Sequence, residues 1–425
     1  MVPGMSEESR FVTKVLHDLR RENFSGEAAA RCCLSLLAVV KTKDWSRVKR
    51  ASREGDAEQV ADAVRQAAGT AAEADVLAGL NPETLRKLVS VFDKIAKWEM
   101  QAIRTIAELF AGRAAEGYQT PAPVAGLIAE IARPAEGATL FDPAARTGLV
   151  LVRSALRAGE ASVRVVGWSF PDGIADPEPW RVARLLLLVS GIRDAEVGPA
   201  PLLDEYHTAA APPADVVVSD LIQVPARNLR TEWAPKVQGL LANLTWSRRL
   251  VVLVPSNSLA KAADLRESLV DSGALAAVIR LPSGQFPRLL HDVDLLALRK
   301  EGGRDADGAV LFVDMAAYLA ADASRSLDSR ISRMVGDIVE AFQSGSDAWK
   351  DEPVARFARA VPLSEIRERQ RTGTGSELEV TLYVPPVVEP VDLQAELERL
   401  RAIGRERQMI EADLERRIEA VLSRI

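Results

Sequence analysis

Apolar residues in the first hundred positions recur at helical spacing, as in Val12, Val15, Leu16 and Leu19 and again in Leu85, Leu88, Phe92 and Ile95. That period predicts an all-helical segment up to about residue 112. Asn81 followed by Pro82 offers a capping acceptor and a residue suited to a first helical turn, so one helix is expected to begin there. From Ala138 the texture changes to short apolar runs centred near Leu140, Val165, Val217, Val252, Val278, Leu296 and Phe312, separated by helical or turn segments. Such alternation predicts an α/β fold with a doubly wound, Rossmann-like sheet of seven strands. The runs Leu250–Val254 and Val216–Val218 lack polar alternation, as central strands covered on both faces do. Asp294–Leu298 and Val310–Val313 are joined by a segment containing Glu301-Gly302-Gly303-Arg304, too short for a parallel crossover, and predict an edge hairpin. A mixed, polar, linker-like stretch follows, with a helix expected near Ile331–Phe342. Past Pro385, Pro386 and Pro390, the stripe Leu393, Leu397, Leu400, Ile403, Ile410, Leu414, Ile418, Val421 and Ile425 predicts one long amphipathic helix. The expected organisation is a helical domain over 1–112, an α/β core over 113–316, a mixed extension over 317–387 and the long helix over 388–425.

Composition narrows the function classes. A chain of 425 residues can bury a large core without disulfide or metal staples, and 48% hydrophobic with 27% charged residues excludes wholesale disorder. With 54 basic against 60 acidic residues the net charge is −6, so no global nucleic-acid coat is present and any DNA contact is local or lent by a partner. The only cysteines are the neighbours Cys32 and Cys33, and the only histidines, His17, His207 and His291, are scattered. No metal centre and no Ser-His-Asp triad is expected from that material. Apolar runs such as Leu185–Val189 and Ala274–Ile279 are too short to span a bilayer, and Met1–Arg10 has no apolar stretch behind it, so a cytoplasmic chain without membrane contact is expected.

The first strand ends in Leu140-Phe141-Asp142-Pro143-Ala144-Ala145-Arg146-Thr147-Gly148 and then enters a helix. An acidic residue and a glycine at such a strand-turn-helix lie at the edge of the sheet where ligands of this architecture bind. Other segments follow in a definite order. Glu116-Gly117-Tyr118-Gln119-Thr120-Pro121 precedes the strand, and Asp215-Val216-Val217-Val218-Ser219-Asp220 stands beyond it. Leu253-Val254-Pro255, Leu265-Arg266-Glu267-Ser268-Leu269 and Ala277-Val278-Ile279-Arg280-Leu281-Pro282-Ser283-Gly284-Gln285-Phe286 complete the series. In this ordered series the chain resembles the methylation (modification) subunits of type I restriction-modification systems, which are adenine-specific DNA methyltransferases. The resemblance implies a methyltransferase-like core. It implies S-adenosylmethionine as cofactor near Tyr118, Thr120, Pro121, Asp142, Pro143, Arg146, Thr147, Gly148 and Ser169, and a catalytic loop opening at Asp220 and reaching Gln223. It also implies DNA reached through a specificity-type subunit, and assembly through C-terminal helices with such a partner or with another copy.

Three of these sites depart from the family pattern. Ala145-Arg146-Thr147-Gly148-Leu149 stands where the family has Cys-Gly-Ser/Thr-Gly-Gly, which puts bulk where the methionine part of the cofactor would lie. Gly167-Trp168-Ser169 ends the second strand on a serine where an acid would bind the ribose hydroxyls. Leu221-Ile222-Gln223 follows Asp220 where Pro-Pro-aromatic would hold and stack the flipped base. These departures point to a catalytically degenerate relative acting as a structural or DNA-associated component of a complex. The alternatives are an active adenine-specific DNA methyltransferase using Asp220, and a pocket re-used to sense another nucleotide, with Arg146 on its phosphate. Arg230, Lys236, Arg248 and Arg249 with Trp233 and Trp246 suit either a nucleic-acid face or an ordinary solvated surface.

Overall fold

The computed structural model describes residues 7–20, 26–68, 71–114, 120–159, 163–169, 180–201, 211–223, 244–256, 263–281, 292–300, 308–315, 336–338, 357–372 and 378–384, with single positions 235, 241, 333, 342, 398 and 401. Met1–Val384 forms one compact unit and Pro385–Ile425 another. The long helix expected over 388–425 lies almost wholly outside the described residues; Glu398 and Arg401 are helical and exposed. Among the described residues no helix is long and apolar enough to cross a membrane.

Helices come first: α1 Glu7–Arg20, α2 Gly26–Val40, α3 Trp45–Glu54, α4 Ala57–Ala68, α5 Ala71–Ala78, α6 Pro82–Ile95, α7 Met100–Ala114 and α8 Ala122–Ala132. The expected start of α6 is confirmed, since the Asn81 side chain accepts a hydrogen bond from the Thr84 N–H at 2.8 Å with Pro82 in the first turn. Leu85, Leu88, Phe92 and Ile95 are its buried stripe. The α/β part then runs β1 Thr139–Asp142, α9 Leu149–Ala158, β2 Arg164–Ser169, α10 Trp180–Val189, β3 Ala195–Pro199, β4 Ala214–Asp220 and β5 Trp246–Pro255. It continues through α11 Ala263–Asp271, β6 Leu275–Leu281, β7 Val293–Arg299, β8 Ala309–Asp314, β9 Ala358–Pro362 and α12 Leu363–Arg371.

The strands form one sheet in the order β3-β2-β1-β4-β5-β7-β6-β8-β9. The α/β class therefore holds, with a correction to the strand number: nine strands pair instead of the expected seven. The seven apolar runs are all in the sheet, whereas the two additional strands, β3 and β9, are edge strands with exposed and half-buried positions and carry no continuous apolar signal. A second correction concerns the hairpin. The run 294–298 belongs to β7, which inserts antiparallel between β5 and β6, and the run 310–313 belongs to β8, which pairs parallel with β6. Strands near in sequence are thus separated in the sheet by β6.

Alternation along each strand sends side chains to two cores. Leu140, Val165, Val216, Val218, Val251 and Leu253 meet α8, α9 and α10 on one face, and the helices ahead of residue 112 join that same apolar cluster. Phe141, Val166, Val217, Val252 and Val254 meet α11, α12 and the segment Leu378–Val384 on the other. The segment expected to be linker-like thus supplies an edge strand and a covering helix.

Candidate functional site

Strands β1, β2 and β3 are added to one side of the sheet in chain order and β4 and β5 to the other. The order reverses between β1 and β4, and a crevice outside the carboxyl ends of those strands is the ligand position of open α/β sheets. Asp142, Ser169 and Asp220 are the last residues of β1, β2 and β4.

The turn after β1 is set by three hydrogen bonds, one of which reaches β2. The Ala144 N–H donates to Asp142 Oδ1 at 2.9 Å, the Ala145 N–H donates to the Trp168 carbonyl at 2.6 Å, and the Val152 N–H donates to the Gly148 carbonyl at 2.8 Å. Gly148 heads α9 at φ +72°, and a Cβ there would sit 2.8 Å from Ala183 Cβ and 2.9 Å from its Cα. Glycine is therefore demanded by a left-handed backbone and by the approach of α10, a packing reason as much as a ligand one. Leu149 behind it is 1% exposed and belongs to the core.

The carboxylates converge from two elements. Thr120, directly before Pro121 and α8, donates its hydroxyl to Asp220 Oδ2 at 2.7 Å in a buried bond. The Ile222 N–H donates to Asp220 Oδ1 at 3.2 Å, within the short 3-10 turn Leu221–Gln223. Ser219 donates its hydroxyl to Asp142 Oδ1 at 2.6 Å. Burial pushes the Asp142 carboxyl up to about 7; the bonds from Ser219 and Ala144 pull it down, and the nearby Asp220 charge pushes it further up. Asp142 is thus the group in the crevice that burial holds toward its protonated form.

Thr120, Asp142, Arg146, Thr147, Gly148 and Asp220 line one open cleft. Pro121 caps α8 beside Thr120, and Pro143 is buried in the turn. Arg146 is half-buried. Ser169 has a buried hydroxyl without a hydrogen-bond partner among the described residues, while its carbonyl accepts from the Ala200 N–H at 2.9 Å. Trp168 packs edge-on against Phe141 with centroids 5.0 Å apart. Tyr118 and the Gln223 side chain lie outside the described residues, as do Arg230, Trp233 and Lys236. Trp246, Arg248 and Arg249 begin β5 and so stand at the opposite edge of the sheet from the crevice. Among the described residues no group of three His, Cys, Asp or Glu is placed to hold a metal ion.

Sequence reading missed Ser219, whose only signal is a hydroxyl next to the acid at the end of an apolar strand. It also missed a second charged cluster at the same sheet edge. Arg280 on β6 lies opposite Asp294 on β7, with its Nε 3.4 Å from Asp294 Oδ1, and its Nη2 also pairs with Glu379 Oε1. Charged residues inside otherwise apolar strands were the available signal.

Comparison with known proteins bears out the resemblance read from the motifs. Residues 222–385 match the family model described as N-6 DNA Methylase. The type I restriction enzyme MjaVIII methylase subunit of Methanocaldococcus jannaschii is 25% identical over 319 residues, which is 66% of this chain and 52% of that protein. The chain thus spans about half the length of this curated relative. Among solved structures, the type I restriction-modification methyltransferase subunit of Streptococcus thermophilus is 16% identical with a TM-score of 0.55, covering 80% of each chain. A modification subunit of a putative type I restriction enzyme from Vibrio vulnificus YJ016 is also 16% identical with a TM-score of 0.55, covering 84% of this chain and 92% of that one. These two share the fold.

Proposed function

We propose that this chain, similar to the modification subunits of type I restriction enzymes, is a catalytically degenerate and cofactor-poor relative of them that serves as a structural or DNA-associated component of a multi-protein complex. The observation that carries this reading is the condition of Asp220. Both of its oxygens already accept hydrogen bonds from the chain itself, from Thr120 and from Ile222. The next residue, Leu221, is buried in the apolar cluster on one face of the sheet, at the position where the resembling family has the first proline of its catalytic loop.

The cofactor implied by that family is S-adenosylmethionine, and the described residues do not fit it. Arg146 and Leu149 stand in the turn after β1, and Leu149 is packed into the core. The end of β2 offers a buried serine hydroxyl in place of a carboxylate. Calorimetric titration of the purified chain with S-adenosylmethionine is expected to give no saturable heat below about millimolar concentration. Binding in the micromolar range would overturn the reading.

The rival reading, a working adenine-specific DNA methyltransferase, is favoured by one observation: Thr120, Asp142 and Asp220 meet at the switch point where a ligand of this fold belongs. Adenine methylation by the chain in a host without its own adenine methyltransferases would establish it. Partner contact is assigned to the apolar stripe over 388–425, since a seam that long is poorly satisfied by water. Truncation after Pro390 should abolish self-association or retention of a partner subunit, and an unchanged assembly state would remove this part of the proposal.

A further inference from the structure

The amino edge of the sheet, away from the crevice, gathers basic side chains from three elements. Arg248 and Arg249 lie at the start of β5, Arg299 ends β7 with Lys300 directly after it, and Arg133 takes the left-handed position, φ 40°, that ends α8. In the antiparallel β5·β7 ladder Arg249 lies directly opposite Arg299, so the two side chains share one face of the sheet. Like charges in directly opposed positions cost stability. Arg249 Nη1 donates to the Ile131 carbonyl at 2.7 Å, which brings the end of α8, and Arg133 with it, to the same corner. Burial lowers the Arg249 pKa, and the neighbouring charges of Arg299, Arg248 and Arg133 lower it further. The Arg299 Nε is buried and makes no hydrogen bond among the described residues.

The other face of this edge is also basic. The Lys300 ammonium lies 4.2 Å from the Trp246 ring centroid and donates to the Trp246 carbonyl at 3.0 Å. Its backbone N–H donates to the Arg248 carbonyl at 2.9 Å. The carboxylate near Arg248 is Asp215, whose oxygens accept from the Thr139 N–H and the Ser247 hydroxyl, each at 2.9 Å.

We infer that this edge is a phosphate-binding surface that holds the backbone of duplex DNA on the side of the sheet opposite the crevice. The Ile131 carbonyl, the Phe342 ring 5.9 Å from the Arg299 guanidinium and the Trp246 ring hold these cations in place, yet Arg249 still stands directly opposite Arg299 with three further cations around them. A row of phosphates relieves that repulsion and releases counterions from the duplex as it binds. Guanidinium forks and an indole-backed ammonium are suited to phosphate oxygens. The chain as a whole is acidic at −6, so attraction to a polyanion has to come from a local surface such as this one. Naming DNA as the polyanion rests on the reading above, because Arg248, Arg249, Arg299 and Lys300 all lie within the segment 222–385 that matches the N-6 DNA Methylase model.

The test is binding of the full chain to a random-sequence DNA duplex, measured as a function of salt. Arg133 and Lys300 are exposed, so Arg133→Glu with Lys300→Glu should leave the fold intact. The double variant is expected to lower the slope of log affinity against log salt by about two, with a loss on the order of tenfold or more at low salt. Arg133→Lys with Lys300→Arg should keep the wild-type slope. Lys94→Glu with Lys97→Glu, which changes two exposed cations around the end of α6, should keep it as well. An unchanged slope in the first pair, an equal fall in the control pair, or no duplex binding by wild type at low salt would overturn the inference. Titration of the same proteins with S-adenosylmethionine reads the crevice separately, so failure there is distinguishable from failure at this edge.

Discussion

Replacing Arg280 with methionine will destabilise the chain by about 3–5 kcal/mol at pH 8, the usual cost of leaving a buried charge without its partner. The Arg280 side chain is 8% exposed and that of Asp294 is 3%, so water cannot take over the lost cation's role. Burial already pushes the Asp294 carboxyl up to about 6 against the pull of Arg280. A folded value above the unfolded 3.8 means that this group's stabilising contribution is complete below about 3.8 and is lost as pH rises through about 6. Without Arg280 the carboxyl climbs further, and the loss extends to higher pH. Urea midpoints should therefore show a large deficit at pH 8 that shrinks at pH 5, where Asp294 takes up a proton. Equal deficits at both values, or less than about 1 kcal/mol at pH 8, would show that the pair is not what holds this edge. Arg280 also pairs with Glu379, so the variant should loosen the segment Leu378–Val384, which places Tyr383 on Phe312 at 4.3 Å between centroids.

How much of this was legible in the sequence depended on whether the deciding contact was local. The apolar runs marked seven strands because each of those strands is largely covered, and that signal survives without knowing the neighbours. Strand β3 borders only β2, and β9 borders only β8, so neither needed an apolar run. The expected hairpin failed for a related reason: spacing says that two strands are close along the chain, while pairing is settled by the faces they bury, and β6 won the place beside β8. At the crevice, Asp142, Ser169 and Asp220 could be found because strand ends have a recognisable pattern. The bonds that engage them could not. Thr120 reaches Asp220 from a hundred residues away in sequence, and Ser219 reaches Asp142 from 77. Gly148 was legible as a turn glycine, but the closeness of Ala183, which makes it irreplaceable, comes from the tertiary packing of α10.

Asp142→Asn is expected to stabilise the chain above neutral pH. Both hydrogen bonds that reach Asp142, from the Ser219 hydroxyl and the Ala144 N–H, end on Oδ1, and an asparagine carbonyl oxygen can accept both. What the substitution removes is a charge that the fold holds poorly. Burial, with the Asp220 charge adding to it, pushes the folded value to about 7 from 3.8. The folded chain therefore keeps a proton that the unfolded chain has released, and the stabilising contribution of Asp142 is complete below about 3.8 and lost as pH rises through about 7. At about 1.36 kcal/mol per pKa unit, the ionised form at pH 8 costs up to about 4 kcal/mol, which the asparagine variant avoids. Wild type and variant should have matching stability near pH 4 and diverge progressively up to about pH 8, read as urea midpoints. Parallel profiles would mean that Asp142 ionises as easily in the fold as outside it, and that the crevice is wetter than the burial of Asp142 indicates. The same measurement bears on function. A chain that gains stability by neutralising this position has no stabilising use for a second negative charge beside Asp220, whereas a site shaped around a cationic sulfonium donor would recover that charge as affinity. If the variant is more stable and the donor still fails to bind wild type, no sulfonium recovers that charge in the crevice and the pseudoenzyme reading stands.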